Sequence, residues 1–440
     1  MEYYYQVCFG GLVALCVVLL ISQPTRKQAL ERQPDSPKLG AREEEHPEAQ
    51  WYKAYVLATA ADWLQGPYLF SLYQDEYGLA PGVVLNLYLT DLVTTAVSAY
   101  FIGVLSDKHG RKLYCMVYCV TYALSCFLTV VPATPLLFLG RVLGGLSTGI
   151  LSTVFDGWMV ANFRGRGLAA DGCDLTRTYA ATSVVNGLAA VSSGFVGELL
   201  VWATGTRKSP FLLAVVLLWL ALQAIWSRWV ENFGVRASSE PTQTRPSSVW
   251  SVLKAPPILA LAFASTMFDG SMNLFVFYWI PKLSSLRKEE AASGELPYGV
   301  IYSSFMAVSV AAALAFNIIM DKQIVKYSRL AVGVASVAAF CFARLAGAKT
   351  EAGTFWLFCV LQACVGMFTP CVGYLKGRLI DDDARATVYS VMRIPYNILV
   401  VVSLLMAKDN SNIDGVFTTC ALMLIASLTT MGAASMRGMP

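Results

Sequence analysis

Histidine is almost missing from this chain: only His46 and His109 occur in 440 residues. So few imidazoles offer neither a histidine-rich metal centre nor a histidine base for nucleophilic catalysis. Charge is also scarce, 14% of residues against about 25% in soluble domains. No G-x-x-x-x-G-K-[ST] loop occurs, which argues against ATP as an energy source. The formal net charge of +4 is too small to point to nucleic acid. Eleven cysteines are present, but Cys8, Cys16, Cys126, Cys364 and Cys420 lie in apolar runs and read as small buried hydrophobes, not a disulfide framework. Cys115 and Cys119 stand one helical turn apart without further ligands, which reads as packing. No cofactor, no metal and no catalytic residue is expected, so an enzyme is the least favoured class.

Apolar residues make up 56% of the chain. A helix needs about 20 of them in a row to cross the hydrocarbon core. Such runs fall at 3–21, 51–72, 81–105, 112–131, 135–160, 178–203 and 209–229, then at 255–281, 297–320, 328–347, 352–376, 386–407 and 413–436. The order is one isolated segment, then six, then six. If 22–53 is cytoplasmic, only Arg207, Lys208, Lys282, Arg287, Lys288, Lys349 and Lys408 of the 33 basic residues fall in outer loops. That bias fixes the orientation of the spans.

The fold expected is therefore an all-α membrane protein of two six-helix bundles, 51–230 and 255–440, plus one extra N-terminal transmembrane helix. Residues 1–50 form that helix and a tether rich in proline and glutamate, and 231–254 a cytoplasmic linker. The first segment reads alternatively as a cleaved signal peptide. It lacks Lys and Arg before its apolar run, while Arg26 and Lys27 follow it, which favours an uncleaved anchor.

Between two apolar runs stands a compact charged turn with Gly103, Asp107, Gly110, Arg111 and Lys112 in register. The glycines permit a tight reversal, and the cations hold the turn on the cytoplasmic side. The spacing resembles the loop 2–3 signature of the major facilitator superfamily, G-x-x-x-D-[RK]-x-G-[RK]-[RK]. The resemblance implies the major facilitator fold, with this turn as a gating element. Asp156, in Phe155-Asp156-Gly157-Trp158, resembles the acidic partner of the loop arginine, so an Arg111–Asp156 pair is expected.

The two halves read as repeats. Asp62 in the first helix of one half precedes Asp107-Lys108 by 45 residues, and Asp269 in the first helix of the other precedes Asp321-Lys322 by 52. Parallel repeats suit an alternating-access transporter. Each charge inside a span costs about 2.5–3.5 kcal/mol on insertion scales and is a functional candidate. Arg141, among Gly140, Gly144, Gly145 and Gly149, presents a planar fork for an oxyanion or a buried carboxylate. Arg393 is its candidate counterpart in the second half, with snorkelling to the interface as the alternative. Asp62, Asp269 and Glu198 are the candidate proton carriers, while Asp91 has no obvious partner.

Four blocks narrow the resemblance: 61–74, 140–158, 275–281 and 298–306. Together they resemble the molybdate-anion transporter family. That resemblance implies uptake of molybdate across the cell membrane by a multi-pass monomer, with Arg141, Arg393, Asp62 and Asp269 at the substrate site and a coupling proton as partner. The alternatives are a facilitator for an organic anion, a sugar or a drug, and a non-transporting receptor or scaffold on the same fold.

Overall fold

In hydrocarbon every backbone N–H and C=O must be satisfied within the protein, and these apolar runs answer with helices. The computed structural model describes residues 2–22, 47–165, 175–233, 255–290, 294–380, 392, 395, 396, 398–405 and 413–436. Its helices are α1 (Glu2–Ile21), α2 (Pro47–Gln65), α3 (Pro81–His109), α4 (Arg111–Val130), α5 (Thr134–Gly165), α6 (Leu175–Thr204), α7 (Ser209–Arg228), α8 (Pro256–Glu289), α9 (Tyr298–Asp321), α10 (Tyr327–Leu345), α11 (Glu351–Leu379) and α12 (Ile413–Met436). Proline opens α3, α7 and α8 within their first two positions, where a missing N–H costs nothing.

Among the described residues, eleven helices are long and apolar enough to cross a membrane. Two of the thirteen expected spans are not among them. The 51–72 run is not one helix: α2 stops at Gln65, before Gly66-Pro67, and a turn at Leu69–Ser71 leads into a π-helix, Leu72–Glu76. Pro67 breaks the run because it supplies no N–H and its ring clashes with the preceding turn. Half of 386–407 lies outside the described residues.

The chain divides into two compact units, residues 22–240 and residues 1–21 with 241–440. In the first, α5 packs on α3 and α4, while α7 packs on α2 and α4. In the second, α11 packs on α9 and α10, and α12 on α8 and α10. The α5–α3 and α11–α9 crossings share a device. A Cβ at Gly145 would collide with the Asp91 carbonyl and Thr94 of α3, and a Cβ at Gly366 would collide with the Ser309 carbonyl of α9. Each crossing is closed by a glycine on the fourth helix of its half, as small residues allow in membranes.

Helix α1 belongs to the second unit and packs on α9. Cys16 Sγ donates to the Ala307 carbonyl at 3.0 Å, and Tyr5 Oη donates to Glu351 Oε1 at 2.5 Å. Trp356 Nε1 donates to Tyr4 Oη at 2.7 Å, and the Tyr5 and Phe355 rings meet edge to face at 5.0 Å.

Candidate functional site

Arg141 is sealed inside the first unit on α5, its side chain only 5% exposed. Its Nη2 donates to Thr129 Oγ1 on α4 at 2.8 Å, and its guanidinium lies 5.9 Å from the centroid of the Tyr73 ring, in the π-helix. Its Nη1 is 3.9 Å from Asp91 Oδ1 on α3. The acid that had no obvious partner in the sequence is thus the arginine's counter-charge. Two further donors, Arg141 Nε and Tyr73 Oη, are buried with no acceptor among the described residues.

The glycines around Arg141 explain this geometry. A Cβ at Gly144 would stand 2.9 Å from Asp91 Oδ1 and 3.1 Å from Ser125 Oγ. With Gly145 pressed on the Asp91 backbone, the two glycines cut a notch into which the α3 carboxylate fits. The occupant of the notch was not legible, because the 50-residue separation of Asp91 and Arg141 hides which α3 side chain lies opposite.

Asp62, on α2, accepts a hydrogen bond from Tyr122 Oη of α4 at 2.5 Å, so a tyrosine, not Arg141, is its direct partner. Glu198 accepts from Tyr68 Oη at 2.9 Å. Asp269 lies on α8 in the second unit and is exposed there. Arg393 lies outside the described residues. Three residues further along the chain, Tyr396 Oη accepts from Asn273 of α8, a polar contact that sequence reasoning passed over.

The charged turn is built differently from its expectation in two respects. Gly103 is not at a reversal: it stands inside α3, and a Cβ there would meet nothing within 4 Å. Arg111 does not bond Asp156. Its Nε donates to Asp107 Oδ1 at 2.8 Å and its Nη1 to the Gly157 carbonyl at 3.0 Å. Asp107 lies four residues before Arg111, across the Gly110 reversal, so its carboxylate reaches the guanidinium locally, and the backbone beside Asp156 takes the remaining donor.

The reversal itself is made at Gly110, where φ is +112°, a conformation that side chains resist. There the residue that sequence reasoning missed is Glu231, just beyond α7. Its carboxylate accepts from the backbone N–H of Lys112 at 2.8 Å and of Leu113 at 3.2 Å, capping α4, where a negative charge suits the helix dipole. Lys112 Nζ donates to the carbonyls of Trp226 and Trp229 at 3.1 and 2.7 Å, and Arg111 N donates to that of Asn232 at 3.0 Å. Trp158 stacks on Trp229 at 3.9 Å and donates to the Val230 carbonyl. The turn is therefore bolted to the segment that leaves α7 and to the end of α5.

At the opposite end of this unit, Glu76 accepts from Thr206 Oγ1 at 2.8 Å and Arg207 N at 2.9 Å, and Arg207 pairs with Asp75 at 3.6 Å. Burial, then the neighbouring Glu76, pushes the Tyr77 phenol up. A groove of about 490 Å³ between α4 and α7 is lined by Leu113, Met116, Val120 and Trp226 among others. It has no charged donor, so its chemistry does not suit an anion. No metal-ligating cluster occurs among the described residues.

Comparison with known proteins agrees with this architecture. A family model described as sugar transporters with 12 transmembrane helices matches residues 3–349, beginning inside α1. The molybdate-anion transporter of Takifugu rubripes is 28% identical over 421 residues, covering 87% of this chain and 85% of that protein. Those of Xenopus tropicalis and Danio rerio are 27% and 26% identical, over 86% and 96% of this chain and 83% and 93% of theirs. In fold, two crystal structures of the nucleoside transporter NupG match with TM-scores of 0.72 and 0.68, at 12% and 13% identity, each over 88% of this chain and 100% and 99% of theirs. The chain is a multi-pass membrane protein of the major facilitator superfamily and belongs to the twelve-helix transporter family whose model it matches.

Proposed function

We propose that this chain imports molybdate across the cell membrane by alternating access, in symport with protons. The observation that carries the reading is the buried Arg141 with its unfilled Nε donor, in a chain whose relatives are named molybdate-anion transporters. Molybdate is a tetrahedral dianion, and a guanidinium presents paired N–H groups to such oxygens. Inside a span that cation is expensive unless it has an anionic partner.

Bringing two negative charges inward against 100 mV costs about 4.6 kcal/mol, at roughly 2.3 per charge. Uptake therefore needs a coupling cation or a steep gradient. Asp62, Asp269 and Glu198 are the intramembrane carboxylates available to bind protons, and Arg393 is the second-half candidate for anion contact. The activity proposed is transport without chemical change, performed by a monomer.

The test is uptake of radiolabelled molybdate by proteoliposomes, with Arg141→Ala as the variant. Tungstate and sulfate are expected to compete and glucose is not. Uptake is expected to fall when the outside is made alkaline and to be lost in Arg141→Ala. Equal uptake by variant and wild type removes Arg141 from the site. A sugar is the second reading, favoured by the description of the matching family, and glucose competition without tungstate competition would establish it.

A further inference from the structure

The geometry points to Asp91 as the group that couples a proton to the anion: it holds the place at Arg141 that the oxyanion takes, and it yields that place when protonated. This rests on the reading of the chain as a molybdate transporter and names the residue that links the two ions.

Three observations carry it. First, the pair is loose. Arg141 Nη1 and Asp91 Oδ1 stand 3.9 Å apart, beyond hydrogen-bond length, while the same guanidinium is bonded to Thr129 at 2.8 Å. Asp91 thus supplies charge to Arg141 without filling its donors. A partner of that kind can be displaced by an anion that fills them.

Second, donors are waiting. Arg141 Nε and Tyr73 Oη are buried without acceptors among the described residues, and a buried donor left unmade costs about 1–3 kcal/mol. Both belong to side chains packed on each other, Arg141 over the Tyr73 ring. An anion carrying several oxygens could satisfy both, which one aspartate at 3.9 Å does not.

Third, the two partners differ in access. The Arg141 side chain is 5% exposed but that of Asp91 is 32% exposed, so the carboxylate is the more open of the two. The glycine notch at 144 and 145 holds the carboxylate in register with the guanidinium and leaves no room for a bulkier seat.

The cycle balances simply. A proton from water on the open side binds a carboxylate oxygen of Asp91 and cancels its charge. Arg141 then lacks a counter-anion and binds the dianion through the guanidinium, with Tyr73 Oη donating. When the site opens to the other side the anion leaves, Asp91 gives its proton to water and the Arg141–Asp91 pair re-forms. The other titratable groups facing this pair are Asp62 of α2, Tyr73 of the π-helix, and Tyr122 and Cys126 of α4. Of these Asp62 is the one carboxylate, and Tyr122 already holds it.

The test is molybdate binding to the purified full chain in detergent at pH 6 and pH 8, with proton uptake followed by an indicator dye in weak buffer. Wild type is expected to bind about tenfold more tightly per pH unit of acidification, as one linked proton requires, and to take up a proton as it binds. Asp91→Asn is expected to bind equally at both pH values and to take up none. Tyr73→Phe is expected to lose several-fold affinity at both pH values while keeping the slope. Asp91→Asn retaining the wild-type slope overturns the proposal. If that variant does not fold, the wild-type measurement decides: binding without proton uptake overturns the proposal and leaves the molybdate reading standing. Absence of molybdate binding by wild type at either pH overturns both.

Discussion

The carboxylate of Glu231 occupies the space that any side chain at Gly110 would need: its Cδ lies 2.5 Å from where a Cβ would stand. Glycine at 110 is thus required twice, by its φ of +112° and by the acid that caps α4 from across the fold. A signature read as a loop property is in fact half of a two-part joint whose other half lies 121 residues later in the chain.

That joint predicts a coupled pair of substitutions. Gly110→Ala is expected to cost about 1–3 kcal/mol of stability through backbone strain, and Glu231→Ala about 0.5–2 kcal/mol as a lost cap. Because the second removes the group the first collides with, the double variant is expected to lose less than the sum. Thermal unfolding in detergent of the four proteins checks this, and strict additivity would show that the two residues act independently.

Around the same turn, the charged pair counts for less than the backbone bond. Asp107 and Arg111 stand four residues apart across the Gly110 reversal with side chains 50% and 16% exposed, and such exposed pairs contribute about 0.2–1 kcal/mol. Asp107→Asn is expected to shift stability by no more than that. Arg111→Ala also strips a charged donor from the Gly157 carbonyl and is expected to cost more. Asp156→Asn is expected to leave stability unchanged, since the arginine does not bond that acid. A loss for Asp156→Asn as large as that for Arg111→Ala would restore the pairing that the sequence suggested. These variants are compared by the same unfolding measurement.

In the second unit, Glu351 is fully buried, with Tyr5 of α1 at 2.5 Å and Arg287 at 3.6 Å. Removing one partner of a buried ion pair costs about 3–5 kcal/mol, because the other charge stays behind. Glu351→Ala is expected to approach that range. Tyr5→Phe, which deletes one hydrogen bond, is expected to cost about 1–2 kcal/mol, and the pair of substitutions to be less than additive. If Tyr5→Phe is silent, α1 is held by its apolar contacts alone. Solubilised protein melting with and without each substitution separates the cases.

What the sequence made legible followed from local physics. Twenty-residue apolar runs appeared as helices because a bilayer leaves the backbone no other partner, and Gly110 read as a reversal because only its neighbours were needed to see it. The break at Gly66-Pro67 was legible in principle, yet the hydropathy count ran through it because apolar residues continue on both sides. Partners across the fold were not legible. Asp91 sits opposite Arg141, Glu231 opposite Gly110 and Tyr5 opposite Glu351 through helix packing, and no single sequence records which faces meet. Spacing to a familiar motif suggested Asp156 for Arg111, but an acid four residues earlier and a nearer carbonyl took its donors.

The glycines give the sharpest contrast among substitutions of one chemical kind. At Gly145 and Gly366 an added Cβ would run into the backbone carbonyl of the helix opposite, and a carbonyl on a packed helix moves only if the whole helix moves. At Gly103 the same atom would meet open space, inside α3 two turns before its end, where alanine is a better helix former by about 1 kcal/mol. Gly145→Ala and Gly366→Ala are therefore expected to lower the yield of folded protein sharply and to similar degrees, one in each half. Gly103→Ala is expected to fold as well as wild type or better. Size-exclusion profiles of the three variants from one expression host measure this directly. Should Gly103→Ala keep its fold but lose uptake, the glycine is needed for a conformation in which another surface comes against α3, and the motif's first position is then a feature of motion and not of the resting bundle.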